Sequence, residues 1–230
     1  MKKIVLLLFI FLINFFYAQN IGIVSNLNPK LGYSHTKAAI KFTPIFEKDL
    51  DYDLNDFINT TFSQANKTTV HFNDFDWKTL GFFDEFTKSV PILDYLKNYC
   101  ESKKVDQLFI IRKVNSFKLI GPMDMFFNFK NNFGIMTFPN SQKRALMYYN
   151  FAVYKYSLKD NKIYSPLLKK NERMDVYLNN SFENAIYDDN KMLKDNRVTD
   201  YFIPIFENFM KNSFLKLLNQ NEKEVYIFKK

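Results

Sequence analysis

Pro91-Ile92-Leu93-Asp94-Tyr95-Leu96-Lys97-Asn98-Tyr99-Cys100, followed by Val105-Asp106-Gln107-Leu108-Phe109-Ile110-Ile111, is the stretch on which the fold class turns. Ile92, Leu93, Leu96, Tyr99 and Cys100 recur at helical spacing, whereas Val105 to Ile111 is a short apolar run of strand length. Pro91 suits a first helical turn, where its missing N–H is no loss, and Ser89 is available as the cap. Lys103 and Lys104 fall where cations complement a helix carboxyl end. An amphipathic helix that hands directly to a buried strand predicts an α/β chain built on a sheet.

Working outward, Asn20 to Ser25 alternates and is β-rich, and it ends at a loop through Asn28-Pro29-Lys30. Ala38 to Phe46 alternates again, with Ala38, Ile40 and Phe42 on one face and Thr43-Pro44 marking an edge or strand end. Asp51-Tyr52-Asp53 precedes Leu54, Phe57, Ile58 and Phe62, an amphipathic helix with acidic residues at its start. Thr68 to Phe72 reads as a short strand, and Phe82 to Phe86 is aromatic without a period. Arg144 to Leu158 reads as one long strand, Asp160-Asn161 as a turn, and Ile163 to Leu168 as its antiparallel partner. Ser181 to Lys194 has partial helical spacing. Val198 to Leu218 predicts a long helix with one wide apolar stripe, capped by Asp200 with Pro204 in its first turn. Val225 to Phe228 adds a final strand. The expected fold is α/β (α+β), a single mixed and largely antiparallel sheet with amphipathic helices packed on it. No repeat or Pro/Gly/Ser-rich linker divides it, which predicts one domain over residues 19–230.

The amino terminus predicts export. Lys2 and Lys3 form a positive start, Ile4 to Phe16 is apolar except for Asn14, and Tyr17-Ala18-Gln19 offers a cleavage point after residue 18. The apolar run is shorter than the ~20 residues that cross a bilayer. Phe16 departs from the small residue usual at its position, so an uncleaved anchor is the alternative. Both readings place the remainder in the periplasm or outside the cell. No cysteine follows the apolar run to accept a lipid, and with Cys100 alone no intramolecular disulfide forms.

Formal charge is +8, and the two lysines of the leader account for two of these, leaving +6. Lys103-Lys104, Lys169-Lys170 and Lys229-Lys230 are short clusters, unlike the basic tracts with interleaved aromatics that hold nucleic acid. Gly22, Gly32, Gly81, Gly121 and Gly134 stand alone, which excludes P-loop and dinucleotide fingerprints and with them nucleotide chemistry. His35 and His71 have no partner at metal-ligand spacing. Asp49-Leu50-Asp51-Tyr52-Asp53 imitates a calcium loop, but Leu54 replaces its glycine and Thr60 its closing glutamate. No catalytic residue, metal or cofactor is assigned. Asp74, Asp76, Asp84 and Glu85 supply the one alternative, a secreted hydrolase using a carboxylate pair.

Between Gly121 and Asn140 apolar side chains crowd around a central Lys130-Asn131-Asn132 turn. The segment predicts a flap or hairpin whose Met123, Met125, Phe126, Phe127, Phe129, Phe133 and Met136 contact an envelope protein, a lipid or another hydrophobic ligand. The competing reading folds it back over its own sheet.

The order of elements, together with the phrase Tyr154-Lys155-Tyr156-Ser157-Leu158-Lys159-Asp160-Asn161, resembles the small α/β domain of bacterial envelope proteins. Examples are the amino-terminal domain of TolB and the periplasmic domain of the curli-secretion pore lipoprotein. The resemblance implies an exported binding or assembly module. This chain differs in lacking a lipid-anchored cysteine and a propeller, and no functional residue carries over.

Overall fold

The computed structural model describes residues 20–37, 43–80, 90–113, 129–172, 178–194, 196–219 and 225–227. Eleven strands and three helices are found among them. Six strands, β1 (Asn20–Ser25), β4 (Thr68–Phe72), β5 (Gln107–Lys113), β8 (Phe151–Ser157), β9 (Lys162–Pro166) and β11 (Val225–Ile227), form a sheet in the order β11-β9-β8-β5-β1-β4. The parallel pairings there, among the described residues, are those of β1 with β4 and with β5. Five others, β2 (Lys30–Lys37), β3 (Thr43–Asp53), β6 (Phe133–Phe138), β7 (Ser141–Tyr149) and β10 (Leu178–Ser181), form a second sheet in the order β10-β7-β6-β2-β3, in which β2 and β6 run parallel. The α/β class is as the sequence predicts, but the single sheet is not: there are two mixed sheets.

The reason lies in asparagines. The single strand expected from Arg144 to Leu158 is interrupted at Asn150, so that β7 pairs with β6 and β10 while β8 pairs with β5 and β9. The chain leaves the first sheet for the second again between Ser25 and Lys30. A chain that changes sheets strands backbone donors that the ladders no longer satisfy, and these must find other partners. Asn150 donates its N–H to the Asn132 carbonyl at 2.8 Å, and Asn28 donates to Asn132 Oδ1 at 3.0 Å. The Asn132 side-chain amide donates to Asn150 Oδ1 at 2.9 Å, and Lys113 N–H reaches Asn26 Oδ1 at 2.6 Å. Asparagine suits the role because a short side chain with both donor and acceptor mimics a peptide group.

Three helices cover the sheets: α1 (Leu54–Gln64), α2 (Val90–Lys103) and α3 (Arg197–Leu218). Asp53 caps α1 by accepting the Asn55 N–H at 2.9 Å, which explains the acidic run before it. The predicted apolar face of α2, with Ile92, Leu96, Tyr99 and Cys100, packs on Val24, Leu108, Ile110, Tyr154 and Tyr156 of the six-stranded sheet. On that sheet's other face Ile21, Ile23, Phe109 and Ile111 meet Ile58 and Phe62 of α1 and Phe214 and Leu217 of α3. Helix α3 runs on across the second sheet, where Phe206 stacks on Phe133 with centroids 4.8 Å apart. One apolar core therefore joins both sheets through α3.

Two details of α3 depart from expectation. It starts at Arg197 after Asn196, ahead of the predicted Asp200 cap, and this leaves Pro204 inside the helix, where an i−4 hydrogen bond is lost. At its other end the fully buried Lys155 of β8 donates from Nζ to the Leu217 carbonyl and lies over the Tyr164 ring, 4.9 Å from its centroid. A cation suits the negative end of a helix, and Lys155 satisfies one of the carbonyls stranded there.

Candidate functional site: the far face of the five-stranded sheet

Strand alternation divides the second sheet into two faces. Leu31, Phe133, Ile135, Ala145 and Met147 join the core beneath α3. On the same side Thr137 Oγ1 lies 2.9 Å from both Tyr33 Oη and His35 Nδ1, and the His35 ring meets Tyr187 edge-on at 4.5 Å. Burial, with the charge of Lys191, holds the His35 imidazole below its ordinary range.

The far face begins with Gly32 and Gly134, which are paired across β2 and β6. A Cβ at Gly134 would lie 2.5 Å from both Tyr148 Oη and the Gly32 carbonyl oxygen, so the two glycines make room for the Tyr148 side chain. Phe129 stacks on Tyr148 with centroids 4.1 Å apart, 26° from parallel. Further along the face, at the β6–β7 turn, lies a cavity of about 610 Å³. Phe138, Pro139 and Leu146 are its apolar lining, and Lys37, Asn140, Ser141, Arg144 and Asn179 are its polar one. Neither Lys37 nor Arg144 makes an ion pair among the described residues. At the opposite end of the face the acidic groups are already engaged: Glu47 accepts the Lys130 N–H at 3.2 Å, and Asp49 accepts from Lys130 Nζ and, at 3.1 Å, from the Asn131 amide.

Of the predicted contact residues, Phe129 is placed on this face. Phe133 and Met136 belong to β6 and are fully buried, Phe133 against Phe206, so they are packing residues and present no surface. Met123, Met125, Phe126 and Phe127 lie outside the described residues. The cavity residues were not legible as a group, because Lys37, the 138–146 turn and Asn179 are brought together by strand order alone.

The groups considered for hydrolysis do not converge among the described residues. His35 is buried in β2, whereas His71 sits in β4 at the edge of the other sheet and donates from Nε2 to Asn59 Oδ1 at 2.8 Å. Asp74 accepts from Lys103 Nζ and from the Tyr99 hydroxyl at 2.9 Å, while Asp76 accepts from the Thr79 hydroxyl at 2.6 Å and the Lys78 N–H at 2.9 Å. These partners hold both carboxyls below the usual carboxylate range, the reverse of what a general acid needs. Asp84 and Glu85 lie outside the described residues. Burial pushes the Cys100 thiol up to about 12, which removes thiolate character at neutral pH. Among the described residues no group of three or more His, Cys, Asp or Glu is placed to hold a metal ion. A second hollow of about 560 Å³ between α1 and α3 is lined mainly by polar groups, including Asp53, Asp56, Glu207 and Lys211.

No protein-family model, curated protein or solved structure matches the chain.

Proposed function

We propose that this is an exported envelope protein whose task is binding, with a hydrophobic ligand or the apolar part of an envelope partner held on the far face of the five-stranded sheet. The observation that carries the reading is the cavity at the β6–β7 turn, whose Phe138, Pro139 and Leu146 give it an apolar lining on a rigid strand platform. The Phe129–Tyr148 stack extends aromatic surface along the same face, at the point where the Met/Phe-rich segment enters β6. The engaged state of Asp74 and Asp76 and the separation of His35 from His71 favour binding over hydrolysis. Export rests on the leader pattern of residues 1–18, and β1 beginning at Asn20 is compatible with a working chain that starts at Gln19.

Titration with the neutral dye Nile red tests the binding half. Saturable emission enhancement is expected, with affinity about tenfold weaker in Leu146→Gln, the order of effect of withdrawing one leucine side chain from an apolar contact. Absence of binding, or binding indifferent to Leu146, contradicts the site. Amino-terminal sequencing of protein from the extracytoplasmic fraction tests the other half: Gln19-Asn20-Ile21 is the expected start, and recovery only from the cytoplasm contradicts export.

A further inference from the structure

We infer that the cavity takes a single-chain amphiphilic anion, a carboxylate or phosphate head on a hydrocarbon tail, with Arg144 and Lys37 holding the head and Phe138, Pro139 and Leu146 the tail. The inference rests on the binding reading above and adds the ligand's charge and shape. Its basis is the distribution of polar groups along one sheet face. Arg144 and Lys37 line the cavity without an ion pair, and no Asp or Glu lines it with them, among the described residues. The carboxylates of that face, Glu47 and Asp49, are taken up at its other end by Lys130 and Asn131. A lining that combines two cations with apolar side chains is complementary to an amphiphile of opposite charge. A guanidinium adds planar paired donors that match carboxylate and phosphate oxygens, and it is weakly enough hydrated to work beside apolar surface. Asn140 and Asn179 supply further donors in the lining. A volume of about 610 Å³ falls within the range of small-ligand sites.

Isothermal titration of the purified protein with laurate, dodecyl phosphate, dodecyl maltoside and inorganic phosphate, each below its micelle threshold, separates the contributions. Laurate and dodecyl phosphate are expected to bind at least about tenfold more tightly than the neutral maltoside. The Arg144→Gln/Lys37→Gln double variant, with circular dichroism to confirm its fold, is expected to bring laurate and dodecyl phosphate down to the affinity of the maltoside; a preference that survives the double substitution overturns the assignment of the head group to Arg144 and Lys37. Equal affinity for all three head groups in the unsubstituted protein overturns the inference while leaving the hydrophobic-ligand reading intact. Inorganic phosphate binding as tightly as dodecyl phosphate overturns the amphiphile in favour of a plain anion site. Failure of every dodecyl ligand to bind overturns both readings.

Discussion

Lys155 is a charged residue in an environment that opposes its charge. It is fully buried between Tyr164 and the last turn of α3, and burial lowers its ammonium to about 8, with Asp160 opposing. An unfolded chain returns it to about 10.4, so between about pH 8 and 10 the unfolded state holds more protons than the folded one. Stability contributed through this residue therefore rises with pH across that window. In Lys155→Met the rise disappears: from pH 7.5 to 9.5 the unsubstituted protein gains about 1–2 kcal/mol relative to the variant by urea unfolding. Parallel curves for the two proteins contradict a buried ammonium. This position was illegible in sequence, because a lysine at one step of an otherwise apolar alternation reads as a solvated side chain. Only the arrival of the helix carboxyl end over β8 turns it inward. Cys100, by contrast, is a buried member of the α2 core whose place is legible in sequence, because its helical spacing with Leu96 and Tyr99 is local.

At the scale of elements, local periodicity located α1, α2 and α3 and most strands, and it failed where a long-range event decides. Alternation runs unbroken through Asn150, but the change of sheet there depends on Asn132, eighteen residues earlier, offering both a carbonyl and an amide. Pro204 pointed to a first turn, yet the apolar stripe of α3 begins at Val198 and carries the helix start back past it. The segment from Phe133 to Phe138 was read as part of a flap because it is apolar, although it is the middle strand of a sheet whose partners lie on both sides of it in the chain. Close packing at that strand supports a direct test. Gly134→Ala sets a methyl against the Gly32 carbonyl and the Tyr148 hydroxyl, neither of which is a flexible chain end. A loss of about 1–3 kcal/mol in urea unfolding is expected, of the size that overpacking brings. A variant as stable as the parent contradicts the tight β2–β6–Tyr148 contact.

At the scale of the whole molecule, two sheets share one core because α3 lies across both. Composition carries no phosphate or metal pattern, since the glycines are isolated and the histidines scattered. It said little about where a ligand would sit, since the cavity draws Lys37, Phe138, Arg144 and Asn179 from four strands and turns with no shared motif. Hydrogen exchange followed by mass spectrometry, with and without saturating laurate or dodecyl maltoside, is the most direct test of that placement. The account predicts slowed exchange in β6, β7 and β10, around residues 133–149 and 178–181, with β5, β8 and α2 unchanged. Protection confined to the six-stranded sheet or to the hollow between α1 and α3, or no protection at all, would contradict it.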